Sequence, residues 1–149
     1  MDNNLLRQTV RDSQAIRIAC RGVEDGAFCL IVEDDRDAST LLENILFTHN
    51  YNSKSVNTIE DAISTIHEEQ KKVMCAIIDL HMGADDGVEV LREIERSAPE
   101  IPCIIYTGDT KAGAIAHEQF PRANVVMKGS SMYALLSAFG FTYDGKETA

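Results

Sequence analysis

A chain of 149 residues is long enough for one domain with a proper core and too short for two ordinary ones. Its 44% hydrophobic and 26% charged residues are the composition of a soluble globular protein, and no apolar run approaches the roughly 18 residues needed to span a bilayer. A net charge of -10 argues against a direct hold on nucleic acid, because phosphate contacts require clustered Lys and Arg.

Residues 1–26 stand apart from the rest of the chain. Met1 to Arg7 has neither the basic start nor the long apolar centre of a secretory signal, so a cytoplasmic location and no membrane association are expected. Leu5, Leu6, Val10 and Ile16 suggest a short apolar helix face interrupted by Arg7, Arg11, Asp12 and Arg17, and Gly22 to Gly26 reads as a linker. The segment reads either as a solvated arm or as a helix for partner docking or self-association into a homodimer.

From Ala27 the pattern becomes regular. A strand to Val32 leads into Glu33, Asp34 and Asp35, and Arg36 to His49 carries Leu41, Leu42, Ile45 and Leu46 at helical spacing. Asn52 to Val56 reads as a weak strand, and Thr58 with Asp61 opens a helix in capping-box fashion with Ile59, Ile63 and Ile66 on one face. Val73 to Ile78 is a third strand ending at Asp79. After Gly87 a helix bearing Val88, Leu91 and Ile94 is stopped by Ser97-Ala98-Pro99. A fourth strand, Ile101 to Tyr106, ends at Thr107-Gly108, and a short alanine-rich helix occupies Thr110 to Phe120. The fifth strand, Asn124 to Met127, is closed by Lys128. Ser130 or Ser131 caps a last helix through Phe139, stopped at Gly140 and followed by a polar tail over 141–149.

Five strand and helix pairs in alternation predict one α/β domain over 27–140, a doubly wound parallel sheet with helices on both faces. The four cysteines are far apart, and Cys29, Cys75 and Cys103 sit in apolar runs, which favours buried thiols over zinc or disulfide.

In a parallel sheet all carboxyl strand ends share one rim, so Glu33-Asp34-Asp35, Asp79, Thr107 and Lys128 come together there. Like charges that close call for a cation, and an acid pair plus a further carboxylate supplies the oxygen ligands Mg²⁺ prefers. Lys128 brings a compact positive charge and Thr107 a hydroxyl, so the set can hold a phosphoryl group on Asp79. Taken singly, each residue has a plainer reading: the acids as helix caps, Thr107 as a turn residue, Lys128 as a solvated lysine.

The order acid pair, Asp, Thr, Lys over residues 27–139 resembles the receiver domains of bacterial two-component response regulators. The resemblance implies a flavodoxin-like (βα)5 fold with strand order 2-1-3-4-5. It implies that Asp79 accepts a phosphoryl group from a sensor histidine kinase or histidine phosphotransfer protein. By the same resemblance Asp34 is a direct Mg²⁺ ligand and Glu33 acts mainly through water. Asp79 and the backbone carbonyl of His81 complete the set. Thr107 and Lys128 contact the phosphoryl oxygens, Gly108 gives access, and Asp35 is a weaker candidate. The His81 imidazole is expected to line the site.

The chain departs from the family at three positions. Gly83 replaces the usual Pro and should loosen its loop, Gly129 replaces the Pro after the lysine, and Val125 replaces a switch aromatic. Expected is a stand-alone phosphoacceptor that signals through an unknown effector protein or drains phosphoryl groups. Its alternative is a degenerate receiver acting as a phosphorylation-independent interaction module. A phosphatase of the haloacid dehalogenase type shares the residue types, but there the nucleophile opens the order with a second acid two residues on. Here that position is His81.

Overall fold

The computed structural model describes residues 26–130 and 132–139. Five parallel strands form one sheet: β1 Phe28–Val32, β2 Ser53–Val56, β3 Val73–Ile78, β4 Cys103–Thr107 and β5 Asn124–Met127. Their spatial order is 2-1-3-4-5, as the resemblance implied. The crossovers are α1 Arg36–Thr48, α2 Ile59–Glu69, α3 Val88–Ser97 and α4 Thr110–Gln119, and α5 Met132–Phe139 comes after β5.

Every residue of β1 and β3 is buried, which is why they read as unbroken apolar runs rather than alternating ones. Side chains nevertheless alternate between two cores. Leu30, Val32, Ile78 and Ile105 pack with α2, α3 and α4, while Cys29, Ile31, Ile77 and Ile104 pack with α1 and α5. Cys29, Cys75 and Cys103 are buried and none is joined in a disulfide; Cys20 lies outside the described residues.

The helix signals are satisfied locally. Asp35 caps α1 by accepting from the Asp37 and Ala38 amides, and Thr58 caps α2 by accepting from Asp61 N. The end of α1 is a Schellman turn: Tyr51 N donates to Leu46 O and Asn50 N to Phe47 O, with Asn50 in the left-handed region at φ 67. His67 Nε2 reaches Glu93 Oε2 at 2.5 Å, tying α2 to α3, while His117 Nδ1 contacts Ala123 O.

Three local features differ from the sequence reading. The fourth strand begins at Cys103, because Ile101 N already donates to Ala98 O and Pro102 has no N–H to give. It runs one residue further, to Thr107, which pairs with Met127. The stretch after Asp79 is not a loosened loop: His81–Met82 pairs antiparallel with Asp85–Asp86, and Gly83 at φ 64 starts the two-residue turn between them. Glycine is there because the tight turn needs a positive φ, which proline cannot adopt. The expected cap at Ser131 and stop at Gly140 lie outside the described residues, as do the extension 1–25 and the tail 141–149.

Candidate functional site

The rim is built by hydrogen bonds that run one residue past the strands. Asp79 N donates to Val32 O at 2.9 Å, Glu33 N to Val56 O at 3.1 Å, and Lys128 N to Thr107 O at 2.8 Å. Each bond fixes a backbone position, so the side chains beyond the strand ends inherit the rigidity of the sheet. Behind Asp79 the chain is pressed close. A Cβ on Gly87 would fall 2.0 Å from the Asp79 carbonyl oxygen, so only glycine fits where α3 begins.

Glu33, Asp79 and Thr107 are almost wholly buried, at 4%, 5% and 0% exposure. Lys128, about half-buried, reaches over them with Nζ 2.8 Å from Glu33 Oε1 and 3.2 Å from Asp79 Oδ2. The same ammonium lies 5.8 Å from the centroid of the Tyr106 ring, within cation–π range. Burial alone would lower the lysine pKa, but the Glu33 and Asp79 carboxylates outweigh it and hold the ammonium above its ordinary value. Burial also pushes Glu33 up to about 7, reinforced by the Asp79 charge and only partly relieved by Lys128 and the Asp35 amide.

Glu33, Asp34 and Asp79 each present a carboxylate oxygen, and these three oxygens lie within 4.8 Å of one another. One lysine leaves such a trio short of positive charge. Glu33 Oε1 is buried and, although ion-paired with Lys128, receives no well-directed hydrogen bond. An all-oxygen set of two buried acids and one exposed acid, with a buried oxygen lacking a donor, fits a hard divalent cation such as Mg²⁺. The acid pair borders a polar hollow of about 360 Å³ that Arg36, Ser39, Ser55 and Asn57 also line.

The remaining sequence candidates divide. Asp35 is outside the trio, its carboxylate occupied as the α1 cap. Thr107 Oγ1 accepts from Asp109 N at 3.1 Å, which leaves the hydroxyl proton to donate. His81 N donates to Asp79 Oδ1 at 3.2 Å. Its imidazole is exposed, with Nε2 3.1 Å from Asp109 Oδ2. A Cβ on Gly108 would approach no nearer than 4.0 Å to Lys128 Cβ, so the rim is open there. Gly129, at φ 86, turns the chain immediately after the lysine.

Sequence reading did not single out Asp109, Gly113 or Tyr106. Asp109 carried a signal, an Asp immediately before the helix that begins at Thr110, and it caps α4 by accepting from Ala112 N. Tyr106 lay in an apolar run, and its place under Lys128 depends on the pairing of β4 with β5.

Residues 29–139 match the family described as the response regulator receiver domain. The nitrogen assimilation regulatory protein NtrX of Azorhizobium caulinodans is 30% identical over 79 residues, 53% of this chain and 17% of that protein. The chain thus spans about a sixth of the length of that relative. Among solved structures, a response regulator receiver protein from Pseudomonas putida superposes with a TM-score of 0.67 at 23% identity, covering 78% of this chain and 97% of that one. A response regulator protein from Burkholderia pseudomallei, solved with a phosphorylated aspartic acid, a calcium ion and citrate, superposes at 0.65 with 18% identity. It covers 82% and 70% of the two chains.

Proposed function

Because the chain belongs to the response regulator receiver domain family, we propose that Asp79 accepts a phosphoryl group from a phosphohistidine on a sensor kinase or histidine phosphotransfer protein. The observation that carries this reading is the seating of Lys128 Nζ between Glu33 Oε1 and Asp79 Oδ2, beside an oxygen trio suited to a cation.

An Asp79 carboxylate oxygen attacks phosphorus, the phosphorus–oxygen bond forms, and the phosphorus–nitrogen bond to the donor imidazole breaks. Charge builds on the equatorial phosphoryl oxygens, where the Lys128 ammonium and the Thr107 hydroxyl are placed to meet it. Glu33, Asp34 and Asp79 would hold Mg²⁺, with the His81 backbone carbonyl as the further ligand that the family resemblance implies. Bound there, Mg²⁺ would neutralise the carboxylates and offset phosphoryl charge. The His81 amide, already on Asp79 Oδ1, keeps the acceptor carboxylate in place. This role is that of a signalling domain rather than a turnover enzyme, and an effector protein or a further histidine would read or drain the phosphoryl group.

The phosphorylated aspartic acid of the Burkholderia pseudomallei relative gives the reading support by analogy. The competing reading, a docking module without phosphorylation, draws on Gly83, Gly129 and Val125 standing where the family usually has proline, proline and an aromatic. Beryllofluoride with Mg²⁺ separates the two. The phosphoacceptor binds the pair and loses binding in Asp79→Asn, whereas a pure docking module binds neither.

A further inference from the structure

Asp109 is the point where the site and helix α4 meet. Its amide donates to Thr107 Oγ1 at 3.1 Å, and its Oδ1 accepts from Ala112 N at 3.0 Å in the first turn of α4. Its Oδ2 holds His81 Nε2 at 3.1 Å, and the His81 amide in turn donates to Asp79 Oδ1 at 3.2 Å. Those contacts close a circuit from the acceptor carboxylate, through the backbone and ring of His81, to the cap of a helix, with Thr107 as a second arm.

Helix α4 is suited to respond. Its only buried residues are Gly113 and Ala116, so little apolar surface anchors it. Gly113 sits tightly on the sheet, where an added Cβ would lie 3.2 Å from Thr107 Cγ2 and 3.3 Å from Val125 Cγ1. Val125, beneath the helix, is β-branched and has few rotamers to exchange. A change at Asp79 therefore has no bulky side chain to swing at Val125; beside the packing of Gly113 on Thr107, the hydrogen-bonded connection to α4 is through Asp109.

We propose that the His81–Asp109 clasp transmits the state of Asp79 to α4, with Asp109 as a positioning residue for that helix. The inference rests on the phosphoacceptor reading. When Asp79 becomes an acyl phosphate, its oxygens lose carboxylate charge and the His81 amide loses its charged acceptor. His81 then shifts, and the ring draws on Asp109 and the α4 cap. Both states must differ in these contacts for the helix equilibrium to move.

Amide spectra of the whole chain, titrated with Mg²⁺ and beryllofluoride, test this in wild type, Asp109→Ser and Asp109→Asn. Serine keeps the helix cap and the backbone donor to Thr107 but cannot reach His81; asparagine keeps both the cap and the reach. The expected result is that wild type shifts at Asp79, Gly108 and along Thr110–Gln119. In Asp109→Ser the rim shifts remain and the α4 shifts fall by at least half, and Asp109→Asn restores them. Full α4 shifts in Asp109→Ser would overturn the clasp, as would a silent α4 in wild type whose rim responds. A silent rim in wild type would overturn the phosphoacceptor reading itself, and the clasp with it.

Discussion

Lys128 Nζ lies 2.8 Å from Glu33 Oε1, joining the end of β5 to the end of β1 across two intervening strands of the sheet. Glu33 and Asp79 are both buried, so removing the ammonium leaves Asp79 without its ion-pair partner and removes the contact that holds Glu33 down to about 7. Lys128→Met should therefore lower stability, most clearly above about pH 7 where wild-type Glu33 is ionised, toward the lower end of the roughly 3–5 kcal/mol typical of broken buried pairs, since the lysine is partly exposed. The deficit should shrink on acidification as Glu33 takes up a proton. Urea unfolding at several pH values measures both effects.

Glu33 supplies a separate pH signature. Its folded value, about 7, lies above its ordinary 4.5, so the folded state binds this proton more tightly than the unfolded one. Its contribution to stability is thus fully present below about 4.5 and is lost as pH rises through about 7. Without Mg²⁺, wild type should lose stability across that window and Glu33→Gln should lose less. Because a bound cation must displace the proton, Mg²⁺ affinity should rise from about pH 6 to about pH 8 in wild type, and calorimetric titration reads it directly.

Gly87 is the most constrained glycine at the site. Alanine there places its Cβ 2.0 Å from the Asp79 carbonyl oxygen, a clash with backbone that no rotamer relieves. Gly87→Ala should cost about 3 kcal/mol or more and displace Asp79, whereas Gly108→Ala, with open space, should stay within about 0.5 kcal/mol. Thermal unfolding of the two variants gives the comparison.

Substituting the family's usual residue should harm this chain at two turns. Gly83 and Gly129 hold φ of 64 and 86, and proline is locked near about -65. Gly83→Pro and Gly129→Pro should each destabilise by more than about 1 kcal/mol, visible as a lowered Tm. An unchanged Tm would mean that these turns adopt another backbone at little cost.

The pattern of strands, helices and rim residues was legible because its causes are local. Apolar runs such as Val73–Ile78 announce buried strands, and Asp35 and Thr58 announce helix starts. The meeting of Glu33, Asp79 and Lys128 came from parallel topology alone. Features that escaped reading depend on the chain crossing itself. The hairpin through Gly83 depends on a backbone angle, and the clearance at Gly87 on how α3 meets β3. The imidazole of His81 pairs with an aspartate 28 residues away, and that cap position mattered only once α4 was in place.

Phosphoryl transfer to Asp79 is the claim on which the others depend. Incubation with Mg²⁺ and a phosphorylated histidine phosphotransfer protein, followed by reduction of the acyl phosphate with borohydride and peptide mass spectrometry, tests it most directly. The predicted result is conversion at Asp79 in wild type, none in Asp79→Asn despite a native fold, and strong loss in Lys128→Met. Labelling of Asp79→Asn at an undiminished rate, or conversion at another carboxylate in wild type, would contradict it.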